Sequence, residues 1–444
     1  MVARERFTSR FRFLMVVTGS VVGLGNIWSF PTQTATNGGI IYVGVYFLMA
    51  LFLAYPVLMV EMIIGRYTGA NILTALQSTA RGRASRFFAG MIGFSANLAA
   101  LMVLAFYCIV AGTLLSWMAA SFFSMFDIHI DWLHDSSLRR NVLFAGLFML
   151  AAILISGQGL VRGLERWSVR LMPGLLILLL IMAAYVLSEP GSQEGLKAYL
   201  SPDVSHLYSA DIYISAMGQA FFSLSLGIGI MVIYGSYLQP EFNLPKLGLG
   251  IILIDTVAAL LAGLVILPAL YVAYYQGINV FDGGVLVGGM ELVFGIMPKI
   301  FDGLGAWGAV VAFSFYGMLS VAALTSAISA LEVPVSYACE RMYFDRWLSV
   351  IIMAGLAFCF TCLILFNIRW LFEGVHFLTT SVLEPAVGLA CCLFLGWVWR
   401  RDQLLEAVAS ENADFAESLF WRLWPSYVRF ICPVLIVLVL FNKW

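Results

Sequence analysis

The groups in this chain that could do chemistry are oxygens and freed backbone set inside apolar sequence. Gly19-Ser20-Val21-Val22-Gly23-Leu24-Gly25-Asn26 places three glycines and an asparagine in one apolar run, and Gly218-Gln219-Ala220-Phe221-Phe222-Ser223-Leu224-Ser225-Leu226-Gly227-Ile228-Gly229 interrupts another. Asp255 lies in a third run, and Ala322-Ala323-Leu324-Thr325-Ser326 puts two hydroxyls in a fourth. Residues 322, 325 and 326 are spaced i, i+3, i+4 and share one helical face. Carbonyls released by a broken helix, with hydroxyls, an amide and a carboxylate, form an all-oxygen, weakly charged shell. That shell suits a hard monovalent cation better than zinc or copper. Each feature has an ordinary alternative: small residues at four-residue spacing pack helices closely, and Ser or Thr hydroxyls bond back to their own helix. An ionisable group at membrane depth nevertheless marks a functional candidate by default.

The elements that position these groups are membrane helices. Of 444 residues, 62% are hydrophobic and 11% charged, and the apolar runs reach the ~20 residues that a helix needs to cross a bilayer. Spans are expected near 11–32, 39–65, 88–121, 141–158, 167–188, 212–238, 246–274, 304–338, 349–368, 375–399 and 424–442. Lipid cannot satisfy free N–H and C=O groups, so a helix broken at that depth must be buried in protein or line a polar cavity. The breaks in spans one and six are therefore expected to form a binding site.

Basic residues are retained on the cytoplasmic side. Arg4, Arg6, Arg10 and Arg12 precede span one, Arg66, Arg81, Arg83 and Arg86 follow span two, Arg162, Arg166 and Arg170 follow span four, and Arg400 and Arg401 follow span ten. The opposite loops hold fewer cations, such as Lys197, Lys299 and Arg369. The N-terminus is thus expected inside and Trp444 outside, in a multi-pass protein of the cell (inner) membrane whose first span is not a cleavable signal. The net charge of −1 names no partner, and no basic-aromatic array suggests nucleic acid. Cys359-x-x-Cys362 has metal spacing without a nearby His, and His129 to Asp135 reads as a solvated loop. No nucleophile–base pair accompanies the broken helices, so an enzyme is not expected.

Five spans separate the two breaks. Because five is odd, a second five-helix unit starting at span six enters from the other face, giving an inverted repeat of 11–188 and 212–399, with 424–442 as an extra helix. The expectation is a single domain, 1–444: an all-α integral membrane protein with 11 transmembrane helices and a 5+5 inverted repeat. Paired broken helices in corresponding positions point to a secondary-transporter site at the bilayer midplane.

The chain resembles the neurotransmitter:sodium symporter family, in particular its bacterial eleven-helix amino-acid transporters with the leucine-transporter fold. The resemblance rests on Gly19 to Pro31, Asn37-Gly38-Gly39, Glu61-Met62-Ile63-Ile64-Gly65-Arg66-Tyr67, Gly218 to Gly229 and Ala322 to Ser326. It implies a substrate site lined by Ser20, Val21, Gly23, Leu24 and Gly25 of span one, Val103 and Tyr107 of span three, Phe222, Ser223, Ser225 and Ile228 of span six, and Ser326 and Ala330 of span eight. Freed N–H groups near Leu24 and Gly25 begin a half-helix whose dipole attracts a carboxylate, and carbonyls of Val21, Phe222 and Ser223 can accept from an ammonium. Two Na⁺ sites are implied, and no organic cofactor. The first would use Val21, Asn26, Ser223, Asp255 and the substrate carboxylate, and the second Gly19, Val22, Ala322, Thr325 and Ser326. Gates are implied at Tyr107 over Phe222 and at Arg4 with Glu340, helped by Ser236 and Tyr237.

Departures from the family pattern matter as much. Asp255 stands where many relatives have asparagine, and Ala259 where chloride-dependent members have serine. A fixed carboxylate beside Tyr46, Gln219 and Ser223 would then supply the charge that chloride supplies elsewhere, and could return protonated once sodium leaves. Ser29 and His376 replace the usual outer ion pair, and Phe7 the usual cytoplasmic tryptophan. Ile228 and Ala330 widen an apolar pocket with Val103 and Phe222. The expected function is sodium-coupled symport of neutral, hydrophobic or aromatic L-amino acids by alternating access, independent of chloride and with proton counter-transport. The alternatives are a proton-coupled or sodium-independent exchanger of the same fold and an amino-acid-sensing receptor. Glu61 and Glu332 are expected to bond unwound backbone or gating neighbours. Glu384 has no assigned role, and the sequence leaves oligomeric state open.

Overall fold

The computed structural model describes residues 5–282, 285–399 and 419–441. Among these, nine helices are long and apolar enough to cross a membrane, and a bent pair makes a tenth such unit. The bent pair is α1 (Arg10–Val21) and α2 (Gly25–Thr36), which meet at 55°. The long helices are α3 (Ile40–Thr68), α4 (Gly82–Ser124), α5 (Leu138–Ser156), α6 (Leu160–Ser188), α9 (Leu244–Tyr275), α10 (Gly308–Arg341), α11 (Arg346–Phe366), α12 (Trp370–Val398) and α13 (Trp421–Phe441). Between α6 and α9, after a nine-residue helix at Ser192–Leu200, lie α7 (Ala210–Ser223) and α8 (Ile230–Ser236), on either side of a break at 224–229. A hairpin of two-residue strands, Phe281–Asp282 and Val285–Leu286, sits between α9 and α10.

The helices follow the apolar runs but extend past them. α4 begins at Gly82, not 88, because the backbone continues helically through exposed Arg83, Arg86, Phe87 and Phe88. Pro173 in α6, Pro268 in α9 and Pro334 in α10 lie inside helices without ending them. α4 and α10 pack along each other at the centre, and α1 lies against α6, α9 and α10. Close approach needs glycine. A Cβ on Gly65 of α3 would stand 1.8 Å from the Val232 carbonyl oxygen, and one on Gly235 would stand 2.4 Å from that of Met62. These two contacts seat short α8 against α3.

The end of the molecule beside residues 5–12 is closed. Phe7 is fully buried and packs edge-on against Phe13, Tyr234 and Tyr237 at 5.1–6.2 Å. Its amide donates to the Tyr237 carbonyl (3.0 Å), and its carbonyl accepts from Gln239 (2.7 Å). Glu5 accepts from the amides of Leu160 and Val161, and buried Glu165 accepts from Thr8 and Arg12, which ties the chain start to α6.

Candidate functional site

α1 ends because Val22 leaves the helical region (ψ 93°) while its amide still bonds the Thr18 carbonyl. The following carbonyls lose their helical donors and turn to hydroxyls from other helices. Ser326 Oγ donates to the Gly19 carbonyl (3.2 Å) and lies 3.4 Å from that of Ser20, and Ser225 Oγ donates to Ser20 (3.2 Å). Ser20 Oγ is itself buried without a hydrogen-bond partner. Glycines let the strands of this crossing touch: a Cβ on Gly19 would meet Thr325 Cβ at 2.9 Å, and one on Gly23 would meet Ser326 Oγ at 2.9 Å.

The second break has its own acceptors. After α7, Ser225 adopts φ +51° and Gly227 and Gly229 adopt φ +83°, so the chain reverses handedness before α8 begins. The freed Gly227 amide donates to Glu61 Oε1 at 2.7 Å. Glu61 is fully buried, and its Oε2 has no hydrogen-bond partner. The Glu384 carbonyl closes the other side of Gly227.

Between the two breaks, three predicted ligands converge. Asp255 Oδ1 accepts from Asn26 Nδ2 (2.8 Å) and Ser223 Oγ (2.7 Å), and Oδ2 accepts from Tyr46 (2.5 Å). Ser223 Oγ also lies 3.2 Å from Asn26 Oδ1, which receives the Gly23 amide at 3.4 Å. Asp255, Asn26 and Tyr46 are fully buried. Gln219 does not join them, contrary to the sequence reading. Its Nε2 donates to the Gly25 carbonyl (3.1 Å) and its Oε1 accepts from Ser29 (2.8 Å).

The residues read as a second shell are buried together. Gly19, Val22, Ala322, Thr325 and Ser326 are buried where α1 crosses α10. Thr325 Oγ1 turns back to its own helix, donating to Val321 (3.1 Å) and Ala322 (3.0 Å). Ser326 alone reaches α1.

A cavity of about 650 Å³ lies beside the first break. Of the substrate residues read from sequence, Leu24, Gly25, Tyr107 and Phe222 line it. Ser20, Val21, Gly23, Val103, Ser223, Ser225, Ile228, Ser326 and Ala330 are not among its lining residues, and all except Ser225 are buried. The walls above them were not read from sequence: Trp28, Gln33, Phe106, Asp211, Phe372 and Glu373 come from α2, α4, α7 and α12. His376 meets Phe106 at 5.3 Å and Phe222 at 6.4 Å, both edge-on. Ser29 is held by Gln219.

Of the residues read as an inner gate, Glu340, Ser236 and Tyr237 are described. Arg4 lies outside the described residues. Glu340 accepts from the Asn71 amide (2.8 Å) and side chain (2.7 Å), at the start of the short helix Ile72–Thr79. Tyr237 donates to Glu332 (2.7 Å), which pairs with Arg346 at 2.5 Å, and Ser236 donates to Ile233. In the loop between α4 and α5, His134 packs edge-on against Trp117 at 4.4 Å. Partial burial, then the Arg140 charge, holds His134 below the ordinary imidazole range. Among the described residues no group of three His, Cys, Asp or Glu side chains could hold a metal ion.

With this geometry in view, likeness to known proteins is specific. The profile of the Sodium:neurotransmitter symporter family matches residues 4–142 and 124–443. An uncharacterised sodium-dependent transporter, YhdH, of Bacillus subtilis is 31% identical over 98% of this chain and 97% of its own. The sodium- and chloride-dependent taurine transporter of Rattus norvegicus is 26% identical over 67% of this chain and 54% of its own. The crystal structure of MhsT in complex with L-phenylalanine superposes with a TM-score of 0.85 at 30% identity, covering 100% of both chains. Two broken helices enclosing buried oxygens, in a multi-pass helical chain so matched along its length, make this protein a member of the sodium:neurotransmitter symporter family.

Proposed function

We propose that the protein is a symporter that draws neutral, hydrophobic or aromatic L-amino acids into the cell with Na⁺, through eleven spans arranged as an inverted repeat with α7–break–α8 as span six. The observation that carries this reading is the contact of both breaks with one buried carboxylate: Asn26 from the first and Ser223 from the second bond Asp255 Oδ1. An ion held among these oxygens pins both halves. A bound substrate carboxylate near Leu24 and Gly25 would complete the shell, so ion and substrate bind together. A second ion between α1 and α10 would replace the local bonds of Thr325 and the long contact of Ser326 to Ser20. The buried floor at Val103, Ile228 and Ala330 suits an apolar side chain, and a relative holds L-phenylalanine.

Phe7 sealed at the chain start and a cavity open above Tyr107 and Phe222 fit the outward-facing stage of alternating access, with the N-terminus cytoplasmic. Closure over the substrate would use His376 and Phe106 packing in place of an ion pair.

Competition tests the substrate class. Excess leucine, methionine or tryptophan is expected to suppress labelled uptake, with modest differences, because one methylene in an apolar pocket is worth only ~1–3 kcal/mol. Stronger competition by lysine or glutamate would overturn the assignment. The return step tests Asp255. A buried carboxylate left without its cation is costly, so the empty carrier is expected to carry a proton outward. Substrate-driven alkalinisation of the vesicle lumen is the expected result, and an unchanged lumenal pH would exclude proton return.

A further inference from the structure

The peripheral helix α13 carries two arginines on its exposed face that the transport reading does not use. Arg422, Ser426 and Arg429 are spaced i, i+4, i+7 and are all exposed, so they form one stripe along the helix. α13 packs mainly against α12 and α3. Arg429 lies eight residues into the span, about 12 Å along the axis at 1.5 Å per residue, where an unsolvated guanidinium is unfavourable.

The surroundings of Arg429 are built to hold it. Its backbone crosses Gly396 so closely that a Cβ there would meet Arg429 Cα at 2.9 Å. Its guanidinium sits 4.0 Å from the centre of the Trp397 ring and 5.3 Å from that of Phe430. Both rings are more than half exposed. Cation–π contact steadies the charge but leaves its N–H donors unfilled. Among the described residues no carboxylate forms an ion pair with Arg422 or Arg429. Helical side chains lean toward the helix N-terminus, so Arg429 reaches back toward Ser426 and Arg422, at the end of the span where phosphate headgroups lie.

We propose that Arg422, Ser426 and Arg429, backed by Trp397, bind the phosphate of an anionic phospholipid. The ligand is a lipid and not free phosphate, because the stripe faces the surface that hydrocarbon chains cover and Trp397 and Phe430 offer those chains an apolar floor. Two positive charges and a hydroxyl donor match a singly charged phosphodiester without a compensating ammonium. Phosphatidylglycerol is therefore favoured over phosphatidylcholine.

The test is native mass spectrometry of the detergent-solubilised full chain titrated with dioleoyl phosphatidylglycerol or dioleoyl phosphatidylcholine. Each arginine near a headgroup is worth about fivefold in anionic-lipid affinity. Wild type is expected to prefer phosphatidylglycerol, Arg422→Gln and Arg429→Gln each to lose about fivefold of that preference, and Arg429→Lys to retain most of it. The remote control Arg83→Gln should leave it unchanged. Equal affinity of wild type and both glutamine variants, or loss in Arg429→Lys equal to that in Arg429→Gln, would overturn the proposal. Inorganic phosphate competing as well as the lipid would also contradict it. The readout is independent of uptake, so failure here leaves the transport reading untouched.

Discussion

Asp255→Asn is expected to make transport depend on chloride. In wild type, uptake should proceed equally in chloride and in gluconate, because the negative charge that offsets Na⁺ is part of the chain. The carboxylate is fully buried and accepts from Asn26, Ser223 and Tyr46, so it is positioned to offset the charge of a bound Na⁺. At an effective dielectric near 20, a unit charge ~4 Å away contributes about 4 kcal/mol, and each 1.4 kcal/mol is tenfold in affinity. Removing it should weaken Na⁺ binding by roughly three orders of magnitude in gluconate, with partial recovery in chloride. The measurement is Na⁺-dependent uptake by wild type and variant in both anions. Full activity of Asp255→Asn in gluconate would remove Asp255 from the ion site.

The second large effect concerns the break in span six. Gly227→Ala places a side chain at φ +83° and 1.9 Å from the Glu384 carbonyl oxygen. A left-handed residue with a Cβ costs ~1–2 kcal/mol, and backbone cannot yield as a side chain can. The displaced Gly227 amide would also leave buried Glu61, and an unsatisfied buried charge adds to the loss. A fall of at least ~3 kcal/mol is expected from these terms together, seen as a lowered unfolding temperature in detergent and loss of substrate binding. Gly229→Ala is the comparison. It has the same φ, but its Cβ would meet only Ile72 side-chain atoms at 3.2–3.5 Å, so a smaller loss is expected. Equal destabilisation would mean that φ alone, and not the Glu384 contact, sets the cost.

Both breaks were legible because glycine and small polar residues are conspicuous inside apolar runs. Asn26, Ser223 and Asp255 could be singled out for the same reason, since each is a polar group that lipid cannot satisfy. A buried carboxylate at Glu61 also announced a need for donors. Which amide supplies one was not legible, since Gly227 is distant in sequence and is brought to Glu61 only by the packing of α8 on α3. The outer cavity was mostly hidden for a related reason. Trp28, Phe106, Asp211 and Glu373 sit on four helices with no shared spacing, and only the assembled bundle makes them neighbours. The donors of Gln219, Ser236 and Tyr237 go to Gly25, Ile233 and Glu332, partners that no spacing in the sequence names.

The central claim is that a Na⁺ gradient drives amino-acid accumulation. Its most direct test is uptake of a labelled hydrophobic amino-acid mixture into proteoliposomes under an inward Na⁺ gradient, compared with the same gradient of K⁺. Accumulation above the outside concentration with Na⁺, and none with K⁺, is the predicted result. Equal uptake with either cation would indicate an exchanger, and saturable binding without uptake would indicate a sensor. Both would contradict the account.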